Sequence, residues 1–246
     1  MELSIRVRFP VVAPKLRYSY PVPDSQKKFE ITPAAAILLA GVVVALAILY
    51  VNASSSETIA DNLPREVFIT PPSAQDYRYG SDDAPIVLVE YSDFECPYCQ
   101  MVNATLKRLV DESDGGVAWV YRHLPLDIHP QAQPAAVAAE CVGELLGQSS
   151  FWAFAGALFA DQQGLGAALY TDTAVSLGAD RGAFGACLVS GKYDEKIAGQ
   201  GAEAFGSGAT GTPFTVVYSS KTQAPLSGAL PYEQFKAVIQ AVNTRL

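Results

Sequence analysis

The tetrapeptide Cys96-Pro97-Tyr98-Cys99 constrains this chain more than any other stretch, because it lies between a predicted strand and a predicted helix. The strand is the apolar and β-branched run over 86–91, which contains one acid, Glu90. The helix follows over 101–110, where apolar residues recur at helical spacing. Pro97 would occupy the first turn of that helix, where a missing N–H costs nothing. The pattern therefore predicts two cysteines at the N-terminus of a helix.

A thiol at such a position has an unusually low pKa. Unpaired backbone N–H groups and the positive end of the helix dipole favour the thiolate, which can bring a cysteine pKa down to roughly 3.5–7.5. Zinc is the main alternative, but zinc needs four ligands, and no second C-x-x-C or H-x-x-x-H is present. We therefore predict thiol–disulfide chemistry at Cys96 and Cys99, with no metal and no cofactor other than their own disulfide.

Charge and hydropathy divide the chain into a basic tail, an apolar run and an acidic domain. The net charge is −8, yet residues 1–30 contain six bases and three acids, which leaves 11 bases and 22 acids for the remainder. Such an acidic domain is unsuited to nucleic acid, and we expect no nucleic-acid partner. Residues 31–51 carry no charge, and as a helix they would extend ~31 Å, enough to cross a bilayer. We predict a cytoplasmic tail over 1–30, a transmembrane helix over 31–51 and a linker over 52–65.

The basic residues predict the orientation of this transmembrane helix. Lys27 and Lys28 lie just before it, and no Lys or Arg occurs between Glu30 and Arg65. Because bases are enriched on the cytoplasmic side, the N-terminus should lie inside the cell membrane and residues 66–246 outside it. A cleaved signal peptide is the alternative, although the leader is long for one. Both topologies place the cysteines in a compartment where disulfides persist.

The pattern over 66–246 predicts an α/β domain with a helical insertion over about 131–206. Strands are predicted over 67–70, 86–91, 117–121, 214–218 and within 221–229, with a turn over 79–85 and a last helix over 231–245. Cys141 and Cys187 lie on the apolar faces of two inserted helices. In an oxidising compartment we expect them to form a structural disulfide, the alternative being two free core thiols. His123 and His129 are predicted to cap or pack helices rather than to bind metal.

Four segments together resemble the DsbA/DsbG-type proteins of the thioredoxin superfamily, in particular membrane-anchored DsbA-like proteins. They are DFECPYC at 93–99, RHLPL at 122–126, AEC at 139–141 and GTP at 211–213. The resemblance implies a thioredoxin fold interrupted by a helical domain. It also implies the activity of a thiol–disulfide oxidoreductase.

The resemblance further implies roles for individual residues. Cys96 would be the exposed nucleophile that forms a mixed disulfide with the substrate, and Cys99 would be the buried resolving thiol. Pro213 would be a cis-proline facing the tetrapeptide, and Thr212 would lend backbone groups that bind the substrate as an added strand. Glu90 would be a buried acid that exchanges protons with Cys99.

The direction of the reaction stays open at this point. Tyr98 stands at the position of the histidine in C-P-H-C oxidases and cannot stabilise the Cys96 thiolate by its charge. An isomerase or reductase is therefore an alternative to an oxidase, and a tethered chaperone without catalysis is a third possibility. Isomerases of this kind carry a separate dimerisation domain, which residues 52–66 are too short to supply, so an oxidase is favoured. Its partners would be exported proteins with cysteines and a DsbB-like or VKOR-like membrane protein that recycles it.

Overall fold

The computed structural model describes residues 42–46 and 67–244. Contacts divide the chain into one unit over Met1–Leu49 and a second over Tyr50–Leu246. Residues 42–46 of the predicted transmembrane segment are helical. The rest of that segment, the tail over 1–30 and the linker over 52–65 lie outside the described residues. Within the two described ranges, no helix is both long and apolar enough to span a membrane.

A five-stranded mixed sheet forms the centre of the second unit. Its strands are β1 (Tyr77–Tyr79), β2 (Ile86–Ser92), β3 (Val117–His123), β4 (Phe214–Tyr218) and β5 (Gln223–Ser227). Their spatial order is β1-β3-β2-β4-β5; β2 and β3 are parallel, and the other pairs are antiparallel. Strands β2 and β3 are buried along their whole length, as their nearly continuous apolar sequences require. The central strand β2 leads directly into the tetrapeptide.

Helices cover the sheet and fill the connection between β3 and β4. They are α1 (Pro97–Asp111), α2 (Ala132–Leu146), α3 (Gln148–Ala160), α4 (Ala167–Ser176), α5 (Arg181–Leu188), α6 (Asp194–Gly206) and α7 (Tyr232–Asn243), with a short 3₁₀ helix at Gln162–Gly164. Helices α2 to α6 form the predicted helical insertion. Each of the helices α1 and α7 buries one apolar face and leaves the other in solvent.

The core lies on both faces of the sheet. Because side chains alternate along a strand, Leu88 of β2 joins one apolar cluster while Val87 and Val89 join the other. The larger cluster includes the fully buried stripe Phe151, Phe154 and Leu158 of α3. The helical insertion and the sheet therefore share one core.

The predicted order of strands and helices is correct, but the first strand is misplaced. Residues 67–70 form no regular strand, and β1 lies instead at Tyr77–Tyr79, partly inside the predicted turn. The 67–70 segment is held by polar contacts: the Thr70 N–H donates to Glu203 Oε1 (2.6 Å), and Arg122 Nη1 donates to the Thr70 carbonyl (3.0 Å). His123, expected to open the helical region, is the last residue of β3.

Candidate active site

The tetrapeptide forms the N-terminus of α1. Cys96 is the N-cap residue, with an extended backbone (φ −74°, ψ 122°), and Pro97 is the first helical residue. The Cys96 carbonyl accepts hydrogen bonds from the N–H groups of Cys99 (3.1 Å) and Gln100 (3.2 Å). Pro97 and Tyr98 are exposed. Cys96 therefore lies at the positive end of the α1 dipole.

Both cysteines of the tetrapeptide are free thiols, and both are buried. Cys96 is 3% exposed and Cys99 is 0% exposed, so the expectation that Cys96 is an exposed thiol is wrong for this state of the protein. The reason is the loop before β4, because the Thr212 carbonyl oxygen lies 3.5 Å from the Cys96 Sγ atom and covers it. On the other side, the Asp93 N–H donates to Cys99 Sγ (3.4 Å).

The loop that contains Thr212 and Pro213 is fixed against the sheet. The Thr212–Pro213 peptide bond is cis, and the Pro213 carbonyl accepts a hydrogen bond from the Gly228 N–H (2.8 Å). Pro213 is buried and Thr212 is half-buried. The structure thus brings the backbone of Thr212 against Cys96, although the two residues are 116 positions apart.

The two thiols have opposite pKa shifts. The hydrogen bond from the Cys99 thiol is the main effect that lowers the pKa of Cys96 to about 5, and Thr212 and backbone N–H groups add to it against the opposing effect of burial. Burial, the hydrogen bond to Cys96 and the charge of Glu90 raise the pKa of Cys99 well above its usual range. At neutral pH, Cys96 is therefore a thiolate and Cys99 a protonated thiol.

Glu90 is a fully buried acid on the central strand, at 0% exposure. Its Oε2 atom accepts a hydrogen bond from Trp119 Nε1 (3.0 Å), and its Oε1 atom has no partner among the described residues. Burial raises the pKa of Glu90 to about 8. Because its charge also raises the pKa of Cys99, the two groups are electrostatically coupled. A carboxyl group that titrates near neutral pH beside a buried thiol can exchange protons with it.

Asp93 and His129 also adjoin the site, although sequence reasoning assigned neither of them a role there. The buried Asp93 carboxylate accepts hydrogen bonds from the N–H groups of Glu95 (2.8 Å) and Leu126 (3.0 Å). It also accepts one from His129 Nδ1 (2.7 Å). Their proximity could have been predicted from the sequence, because β2 and β3 are parallel neighbours and the residues that follow two such strands meet at one edge of the sheet.

The other predicted residues lie in the helical insertion and its contact with the sheet. Cys141 of α2 and Cys187 of α5 form a disulfide, with Cα atoms 5.9 Å apart. His123 is packed in the core, where its Nε2 atom lies 3.1 Å from Glu140 Oε1. In the part of the chain that the structure describes, no cluster of three or more His, Cys, Asp or Glu side chains could hold a metal ion.

Comparison with known proteins assigns the fold. Residues 73–241 match a family model described as thioredoxin. The chain belongs to this thioredoxin family. Among solved structures, it is similar to DsbA2 of Pseudomonas aeruginosa, with 27% identity, a TM-score of 0.59, and coverage of 72% of this chain and 97% of that one. It is also similar to the oxidised form of BdbD from Bacillus subtilis, with 21% identity, a TM-score of 0.60, and coverage of 72% and 97%. The protein is therefore a DsbA-like member of the thioredoxin superfamily.

Several curated relatives of this thioredoxin-family chain are named as Na(+)/H(+) antiporters. NhaA 1 of Salinispora arenicola is 43% identical over 89 residues, which are 36% of this chain and 13% of the antiporter. NhaA of Herminiimonas arsenicoxydans is 32% identical over 166 residues, which are 68% of this chain and 25% of the antiporter. The chain thus spans a quarter or less of the length of these two relatives, and their names assign it no transport activity.

Proposed function

We propose that this protein is a thiol–disulfide oxidoreductase that acts through Cys96 and Cys99 and forms disulfides in exported proteins. The observation that carries the proposal is the unequal environment of the two thiols at one helix N-terminus. Cys96 has a pKa lowered to about 5, whereas burial and Glu90 raise the pKa of Cys99. Thiolates attack and leave in disulfide exchange, so this asymmetry supports Cys96 as the sulfur that forms the mixed disulfide with the substrate.

The proposed cycle starts from the Cys96–Cys99 disulfide. A substrate thiolate attacks the Cys96 sulfur, the disulfide breaks, and Cys99 leaves as a thiolate that takes up a proton, for which Glu90 is the buried donor. A second substrate thiolate then attacks the substrate sulfur of the mixed disulfide and releases Cys96 as a stable thiolate. The substrate loses two electrons and gains a disulfide, and the cysteine pair is left reduced.

Substrate binding is proposed at the loop of Thr212 and Pro213. An extended substrate segment that runs along this loop would bring its cysteine to Cys96, because the Thr212 carbonyl lies 3.5 Å from the Cys96 sulfur. Recognition through backbone groups tolerates many sequences. The proposed substrates are therefore exported proteins with cysteines, as a class and not as individual proteins.

Trapping of mixed disulfides tests the proposal. Cys99→Ala removes the resolving thiol, so we expect adducts to accumulate on Cys96, and Cys96→Ala should accumulate none. If only Cys96→Ala trapped adducts, the assigned roles would be reversed. If the protein with both Cys96 and Cys99 changed to Ser still supported the folding of exported proteins, it would act as a chaperone without catalysis.

The reduction potential tests the oxidase direction. A low thiol pKa stabilises the reduced form: the potential is about −270 mV for thioredoxin, with a pKa of about 7, and about −120 mV for DsbA, with a pKa of about 3.5. The Cys96 pKa of about 5 lies between these values. We therefore expect a potential of roughly −180 mV in a glutathione buffer. A value near that of thioredoxin would indicate a reductase instead.

We also propose that residues 31–51 anchor the protein in the cell membrane, with the N-terminus in the cytoplasm and a DsbB-like or VKOR-like membrane protein as recycling partner. The uncharged run and the bases before it support this topology. Protease added to intact spheroplasts should digest the domain over 66–246 and leave a small membrane-bound fragment. A soluble, shortened protein outside the cells would show a cleaved signal peptide instead.

A further inference from the structure

A cavity of about 330 Å³ lies beside the tetrapeptide. It is lined by Glu95 and Pro97, which flank Cys96 in the sequence. His129 and uncharged side chains that include Gln162 and Gln163 also line it. Gln162 also contacts the tetrapeptide directly, because its Nε2 atom donates a hydrogen bond to the Cys96 carbonyl (2.9 Å). His129 therefore borders a cavity that the residues on both sides of Cys96 in the sequence also line.

The His129 ring is held by a rigid acid. Its Nδ1 atom lies 2.7 Å from Asp93 Oδ2, and the Asp93 side chain is 0% exposed. Two backbone N–H groups hold the same carboxylate, and the backbone N–H of Asp93 contacts Cys99 Sγ. The His129 side chain remains 18% exposed, and its Nε2 atom has no hydrogen-bond partner within the described ranges. The ring is thus fixed in orientation but free to take up a proton from the cavity.

The charged groups around His129 favour that proton. Burial lowers the pKa of His129, but the hydrogen bond and charge of Asp93, together with the charges of Cys96 and Glu95, outweigh burial and raise the pKa. The residues of the helical insertion that line this cavity are all uncharged. Electrostatic coupling is reciprocal, so a thiolate that favours protonation of His129 is itself favoured by the protonated ring. The Cys96 pKa of about 5 lies below the raised pKa of His129, so His129 is charged while Cys96 titrates.

We propose that protonated His129, positioned by Asp93 at the cavity beside the tetrapeptide, stabilises the Cys96 thiolate. The inference rests on the proposed function, since it concerns the same reactive thiol. It gives the site a cation that its own tetrapeptide lacks, because the motif carries Tyr98 and no histidine. Formation of the Cys96–Cys99 disulfide removes the thiolate charge and should therefore lower the pKa of His129.

Proton NMR of the full-length chain tests this coupling directly, because the chain contains only two histidines. The His129 titration midpoint should be higher in the reduced protein than in the oxidised protein, by a few tenths of a pH unit. Cys96→Ser should give His129 the midpoint of the oxidised form. Equal His129 midpoints in both redox states would overturn the proposal.

A substitution supplies the second readout. His129→Gln should raise the midpoint of the Cys96 thiolate absorbance at about 240 nm by a few tenths of a pH unit, and should make the cysteine pair about twofold less oxidising against glutathione. Gln163→Ala, which changes the same cavity wall without changing charge, should leave both values unaltered. A His129→Gln protein that is less stable but keeps both values would show a purely structural role.

The two proposals fail in different ways. If the cysteine pair forms no disulfide that exchanges with glutathione, the proposed function is wrong. If the pair exchanges normally while His129 titrates identically in both redox states, the function stands and only the role of His129 is wrong.

Discussion

Replacing Glu90 by Gln should stabilise the fold at neutral pH, because burial disfavours the charged form of this carboxyl group. Glu90 is 0% exposed, and Trp119 Nε1 is its one hydrogen-bond donor among the described residues. Gln has nearly the shape of the protonated acid and is neutral, and its carbonyl oxygen can accept the same bond from Trp119. The substitution therefore removes the charge with little change in packing.

The sign and size follow from the pKa of Glu90, which burial raises from 4.5 to about 8. Between these pH values the folded protein keeps a proton that the unfolded chain has lost, so stability falls as the pH rises through this window. The loss is about 1.4 kcal/mol per pH unit. It amounts to under about 1 kcal/mol at pH 5, about 3 kcal/mol at pH 7 and about 5 kcal/mol above pH 8.

Urea unfolding of the oxidised protein measures this effect, since Cys96 and Cys99 do not titrate in a disulfide. Glu90→Gln and the unchanged protein should have nearly equal free energies of unfolding at about pH 5, and the variant should be more stable by about 3 kcal/mol at about pH 7. Glu195→Gln, at an exposed position, is the matched control and should change stability by less than about 0.5 kcal/mol at both pH values. A Glu90→Gln effect that is the same at both pH values would refute the reasoning.

Three further predictions concern stability and titration. Changing both Cys141 and Cys187 to Ser opens a loop of 46 residues; it should lower the free energy of unfolding in urea by about 4 kcal/mol, and an unchanged value would contradict the stabilising role. Arg122→Met leaves the buried carboxylate of Asp76 without its partner at 2.9 Å. It should cost about 3–5 kcal/mol in the same assay, and a loss below about 1 kcal/mol would contradict a buried ion pair. The 240 nm absorbance of the Cys96 thiolate should titrate with a midpoint of about 5, whereas a midpoint near that of a free cysteine would contradict the lowered pKa.

Local sequence pattern was sufficient to predict the positions of most strands of the sheet. Strands β2, β3 and β4 are buried at nearly every position, so each appears as a short apolar run. Strand β1 has three residues, all half-buried, and is defined by pairing with Trp119–Tyr121 about 40 residues later along the chain. Residues 67–69 are a short apolar run that is typical of a strand, but this segment pairs with no described strand and buries only Ile69 fully. Pairing that depends on distant residues leaves no local signal.

The same distinction between local pattern and contacts with distant residues applies to the candidate active site. The tetrapeptide and Glu90 could be located from spacing along one strand and one helix. The contact of Asp93 with His129 joins residues 36 positions apart and depends on which strands are neighbours. The burial of Cys96 depends on Thr212, 116 positions away. Sequence pattern therefore located the two thiols and the buried acid, but not the charged groups and the loop that surround them.

The proton that Glu90 keeps at neutral pH is also available for the proposed disulfide exchange. At pH 7 a carboxyl group with a pKa of about 8 is ionised to about one-tenth, so Glu90 usually has a proton to give. Cys99, whose pKa is raised, needs that proton as soon as a substrate thiolate breaks the disulfide. The reverse step, in which Cys99 attacks a mixed disulfide, passes through the same transition state and returns the proton to Glu90. Glu90 therefore speeds the proposed exchange in both directions without setting its equilibrium, and Glu90→Gln should slow the exchange while it stabilises the fold.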